Sequence, residues 1–94
     1  MERKSKIDIT NNGFASISDL KLSAFLRTLN PNSFQGINRS GNKVYFLFDN
    51  TSEVSGLIDG YQLGKQFTLS PLAFSNNIDQ AKALVFGDYL PGKN

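Results

Sequence analysis

Apolar residues recur along this chain at two spacings, and the alternation between the spacings sets out its elements. Leu22, Phe25, Leu26 and Leu29 sit at i, i+3, i+4 and i+7, which makes one apolar stripe on a helix. Ser18 or Asp19 supplies its cap, because a side-chain oxygen there satisfies a free N–H of the first turn. Asn30-Pro31 ends it, since the residue before proline avoids the helical region. From residue 34 the period changes to two. "SFQGINRSGNKVYFLFDN" predicts a β-hairpin turning at Ser40-Gly41-Asn42. Val44, Phe46 and Phe48 share one face of its second strand, and Lys43, Tyr45, Leu47 and Asp49 share the other. A two-residue loop at Ser40-Gly41 places Ile37 opposite Val44, which makes the Val-Phe-Phe face the core face.

The helical period then returns twice. Val54, Leu57, Ile58 and Tyr61 form a second stripe, with Asn50 and Glu53 as a capping box and Thr51 as the alternative cap. Gly56 and Gly60 weaken that helix by about 1 kcal/mol each unless they permit a close approach. Gly64 closes it. Ser70-Pro71 opens a third helix as cap and first-turn proline, with Phe74, Ile78, Ala81 and Val85 as its stripe and Leu84 beside it. Between these two, "KQFTL" reads as a short strand. Near the start, Ile7 and Ile9 alternate with charged residues as a short edge strand, and "FASIS" is an extended lead-in. The fold class is therefore α+β. It is a two-layer domain in which a central antiparallel β-hairpin, widened to three or four strands, packs with three amphipathic helices. Residues 1–13 read as a basic, flexible N-terminal arm, 14–87 as one compact domain and 88–94 as a tail.

Composition narrows the chemistry. Ninety-four residues make one domain, which buries roughly 60–65% of its unfolded surface. There is no cysteine and no histidine. Thiolate and imidazole metal sites, cysteine nucleophiles and a Ser-His-Asp triad are all excluded within one chain. The net charge of +2 resides in the first six residues, where Arg3, Lys4 and Lys6 face only Glu2. From residue 7 onward acidic and basic residues balance. No apolar run reaches the roughly 18 residues of a membrane span, and the charged start has no apolar stretch behind it, so the chain reads as cytoplasmic.

The stretch "GINRSGNKVYFLF" resembles a small family of domains of unknown function found in prokaryotes and their viruses. So do Phe14, Ser16 and Asp19, the stretches "LSPLAF" and "AKALVF", and the Leu-, Ala- and Phe-rich first helix. The resemblance spans residues 14–86, and most of its positions are apolar residues of the core type. It implies a compact domain in a viral or mobile-element setting. It implies no activity and carries over no catalytic residue.

Three kinds of site compete with an ordinary solvated surface. Asp49, Glu53 and Asp59 are carboxylates close in sequence, but a strand end and a first helical turn account for Asp49 and Glu53 without a site. The remaining acidic residues are scattered, with no calcium-loop spacing, and no glycine-rich phosphate loop exists. No metal, cofactor or catalytic residue is assigned, and the chain reads as non-enzymatic. Nucleic-acid binding would use Arg3, Lys4 and Lys6 of the arm with Arg39, Lys43 and Tyr45 at the hairpin tip, which could hold phosphates and stack one base. Protein binding would use Tyr45 and Leu47, if the helices all pack on the opposite face and leave these two exposed. Strand addition at a hairpin edge is a route to self-association. Protein–protein interaction is the leading expectation and nucleic acid the alternative. The choice turns on whether the Lys43/Tyr45/Leu47 face is covered.

Overall fold

In the computed structural model, which describes residues 13–86 and the strand at Ile7–Ile9, the elements follow the two periodicities. They run β1 (Ile7–Ile9), β2 (Phe14–Ile17), α1 (Leu20–Leu29), a 3₁₀ turn (Pro31–Ser33), β3 (Phe34–Ser40), β4 (Lys43–Asp49), α2 (Ser52–Gln62) and α3 (Pro71–Phe86). The strands form one antiparallel sheet in the order β1-β2-β4-β3. β2 and β3 therefore run parallel, with β4 inserted between them, and α1 makes the crossover. The domain is α+β with three helices, as the sequence pattern predicts.

Local chemistry fixes each boundary. Asp19 is the cap of α1, its carboxylate accepting from the Leu22 N–H at 3.1 Å. At α2 the Asn50–Glu53 box does not form. Thr51 caps instead, its hydroxyl accepting from the Val54 N–H at 3.2 Å. The helix starts one residue later than Asn50 would set, which leaves Asn50 free to donate its own N–H to the Gly13 carbonyl at 2.8 Å. Gly64, at φ +77°, closes α2. Its N–H reaches the Tyr61 carbonyl and that of Lys65 reaches Gly60, the two bonds of a Schellman ending. Ser70 caps α3 through the Ala73 N–H at 3.1 Å.

The hairpin register is shifted from the expected one. The loop residues are Gly41 and Asn42, so Ser40 pairs with Lys43, Arg39 with Val44 and Ile37 with Phe46. Gly41 has φ +61° and Asn42 has no positive φ, the pattern of a type II′ turn, which requires glycine at its first central position. The shift moves each strand by one residue, so Ile37 keeps its face. Upstream, Phe34 pairs with Phe48 but Gly36 with Leu47, so Gln35 is the extra residue of a bulge and Gly36 takes φ +125°. Without the bulge, Phe34 and Ile37, three residues apart, would point to opposite faces. With it, both pack on the core.

That core lies between the sheet and one layer of helices. Ile17 of β2 and Val44, Phe46 and Phe48 of β4 meet Leu22, Phe25 and Leu26 of α1, Val54 and Ile58 of α2, and Ala81 of α3. Phe46 and Phe48 are wholly buried, each worth about 1.5–3 kcal/mol of transfer free energy. Residues 65–70 form no strand. Phe67 is held by side-chain contact instead: its ring meets Phe25 edge-on at 4.9 Å and lies against Gly60 of α2. No helix among the described residues is long and apolar enough to cross a membrane.

Candidate interaction surface

The burial of Val44, Phe46 and Phe48 turns Lys43, Tyr45, Leu47 and Asp49 to the other side of β4. Register completes that face. From β3, Asn38 stands beside Tyr45 and Gly36 beside Leu47. From β2, Ser16 stands beside Leu47 and Phe14 beside Asp49. Phe14, Tyr45 and Leu47 are half-buried within the sheet surface, and all three stand outside the core cluster to which every helix contributes. The three helices occupy one side of the sheet. The other side carries Phe14, Tyr45 and Leu47, and none of the three helices contributes to it, but Tyr45 and Leu47 are half-buried there rather than exposed and Ser16 beside Leu47 is buried.

The two cations flanking the hairpin turn are separated by the same alternation. Arg39, paired with Val44, lies on the helix side. Its Nη2 donates to the Leu84 carbonyl at 2.6 Å. This satisfies one of the unpaired carbonyls that end α3 and sets a positive charge at the negative end of the helix dipole. Lys43 is exposed on the open face. The structure thus joins Lys43, Tyr45 and Leu47 on one surface and withdraws Arg39 from it. Arg3, Lys4 and Lys6 lie outside the described residues. Beside Lys43, where the hairpin end meets the end of β2 and the last turn of α3, is a shallow cavity of about 280 Å³ lined by Ser18, Asn42, Lys43, Val44 and Val85. It holds one amine and no carboxylate.

The carboxylates have separate structural settings. Asp49 accepts from Gln35 Nε2 at 3.2 Å, and Glu53 lies exposed in the first turn of α2. Among the described residues, no group of three or more side chains is placed to hold a metal ion.

Two residues of this architecture escaped the sequence pattern. Phe14 joins the open face through the β2–β4 register, which the poor alternation of "FASIS" conceals. Arg27 lies on the helix side between α1, α3 and β3. Its guanidinium sits 4.3 Å from the Phe34 ring centroid and its Nη2 donates to Gln80 Oε1 at 3.1 Å. Its Nη1 is buried without a hydrogen-bond partner, and burial lowers its pKa. Tyr61 on α2 has its pKa raised, first by burial and then by the negative charge of Asp19.

No family model, curated protein or solved structure matches this chain, so the family resemblance rests on the quoted residues alone.

Proposed function

We propose that this protein is a non-enzymatic binding module that acts through protein–protein contact on the open face of its sheet. One observation carries the reading: Tyr45 and Leu47 lie side by side on the face of β4 away from the helices, outside the core cluster. Aromatic and aliphatic side chains on a flat, hydrogen-bonded scaffold are the usual anchors of a protein interface. The balanced charge of the chain beyond residue 6 favours a protein over a polyanion. A photo-crosslinking amino acid placed at Tyr45 should give a discrete protein adduct in the native cells, and one at Lys82, exposed on α3, should give none. Adducts at neither position would end this reading.

Nucleic-acid binding is the second reading, and the exposure of Lys43 beside Tyr45 favours it. A lysine next to an aromatic ring on an open sheet suits a phosphate and a stacked base. Its footprint is smaller than the sequence suggests, since Arg39 is engaged with α3. It expects nuclease-sensitive adducts from position 45 and salt-sensitive gel retardation that Lys43→Ala weakens.

A further inference from the structure

Charge and apolar character follow a particular order along the open face of β4. Lys43 stands at one end, Asp49 at the other, and Tyr45 and Leu47 lie between them. Six residues of strand separate the two charges by roughly 20 Å. An order of cation, aromatic, aliphatic and anion becomes its own complement when it is reversed. Two copies related by a twofold axis running across the strands in the plane between the sheets would set Lys43 of each over Asp49 of the other. Tyr45 of each would then lie over Leu47 of the other. Such an interface is isologous, with the same patch serving both sides. Sheets stack face to face at about 10 Å, a gap that a lysine and an aspartate side chain bridge together. Gly36, beside Leu47, presents no side chain and would lie toward Asn38 of the other copy, leaving room for it.

We propose that the occupant of this face is a second copy of the chain, packed sheet on sheet with the two β4 strands antiparallel. The proposal rests on the reading of the open face as a protein-binding surface and names its partner. The β3 edge of the sheet is a poorer route to the same end. β3 is an edge strand, but its bulge at Gln35 and the positive φ of Gly36 break the ladder that an added strand would extend. The part of the face formed by β2, β4 and β3 covers roughly 300 Å² per copy by strand spacing, well below the ~800 Å² per partner of a stable complex. The dimer is therefore weak, dissociating in roughly the micromolar to millimolar range.

Sedimentation equilibrium across that range at low salt tests it. The wild-type mass should rise toward two chains with concentration, and the rise should shrink with added salt. Lys43→Asp and Asp49→Lys, each alone, leave like charges opposed and should weaken association by about tenfold or more. The double exchange Lys43→Asp/Asp49→Lys remakes both pairs and should restore it. Circular dichroism of each variant checks that it folds, and Asp49→Asn, which retains a group able to meet Gln35, stands in for Asp49→Lys if that variant does not. A chain that stays monomeric at the highest concentration overturns the dimer. The crosslink from Tyr45 then decides separately whether the face binds another protein. A dimer weakened by Tyr45→Glu but indifferent to both charge reversals keeps the face and overturns the antiparallel arrangement. A dimer indifferent to all of these variants overturns the proposal and removes self-association from this face.

Discussion

Gly56 and Gly60 stand one turn apart on α2 and carry opposite constraints. A Cβ at Gly56 would meet nothing within 4 Å, and the residue is exposed. Alanine there gains helix propensity and should raise stability by about 0.5–1 kcal/mol. At Gly60 a Cβ would lie 2.6 Å from Cζ of Phe67. That ring is held against Phe25, so alanine forces it out of place, at about 1–3 kcal/mol of overpacking. The loss outweighs the gain in propensity, and Gly60→Ala should lower the urea midpoint while Gly56→Ala raises it. Equal shifts in the two variants would contradict the Gly60–Phe67 contact. The sequence shows two glycines in one helical stripe without distinguishing them. Only a residue seven positions downstream, in a segment with no regular structure, decides which one is needed.

At the scale of elements, capping and helix packing are linked through Asp19 and Tyr61. Asp19 caps α1, and its charge adds to burial in holding the Tyr61 phenol protonated on α2. The folded-state pKa thus lies above its ordinary value of 10.0. Between the two values the folded state binds more protons than the unfolded one, so stability falls as pH rises. This contribution is complete below pH 10.0 and is lost as pH climbs through the folded-state value. Urea midpoints measured from neutral to alkaline pH should decline above about pH 10 in the wild type and decline less in Tyr61→Phe. Superimposable alkaline profiles would show that the phenol is not shielded in this way. Elsewhere the elements follow their local signals: the stripe of α1, the Ser70-Pro71 start of α3 and the closure of α2 at Gly64 are legible in order. The cap of α2 is legible only as a choice, since Asn50 and Thr51 both fit. Thr51 is the cap, and the Asn50 N–H, bonded to Gly13 across the sheet end, is not available to Glu53 for a capping box.

For the whole molecule, one core on one side of the sheet makes neighbouring residues of β4 behave differently. Phe46 is wholly buried at the centre of the helix-facing cluster, and Phe46→Ala should cost about 3–5 kcal/mol. That is a large share of the 5–15 kcal/mol typical of a small domain. Tyr45 lies half-buried outside that cluster, and Tyr45→Ala should cost less, about 1–2 kcal/mol. Guanidinium unfolding of the two variants checks the asymmetry, and comparable losses would mean that Tyr45 is packed like a core residue. The Arg27 guanidinium belongs to the same side, wedged over Phe34 between α1 and α3 with one nitrogen unpaired. No pattern in the sequence marks it, because its partners lie in elements far along the chain.

The sequence by itself determined which segments are helices, which strands form the hairpin, and which faces of α1, α2 and β4 look inward. These are matters of period, caps and turn residues, all encoded within a few positions. Tertiary structure decided what local pattern does not hold. It inserted β4 between β2 and β3, left residues 65–70 out of the sheet, turned Arg39 to the end of α3, and laid all three helices on one side. Each of these outcomes depends on a contact between residues distant in the chain, such as Arg39 with Leu84 or Phe67 with Gly60. The face of Lys43, Tyr45 and Leu47 could be read from alternation alone. That none of the three described helices crosses it follows from their packing around Phe46 and Phe48.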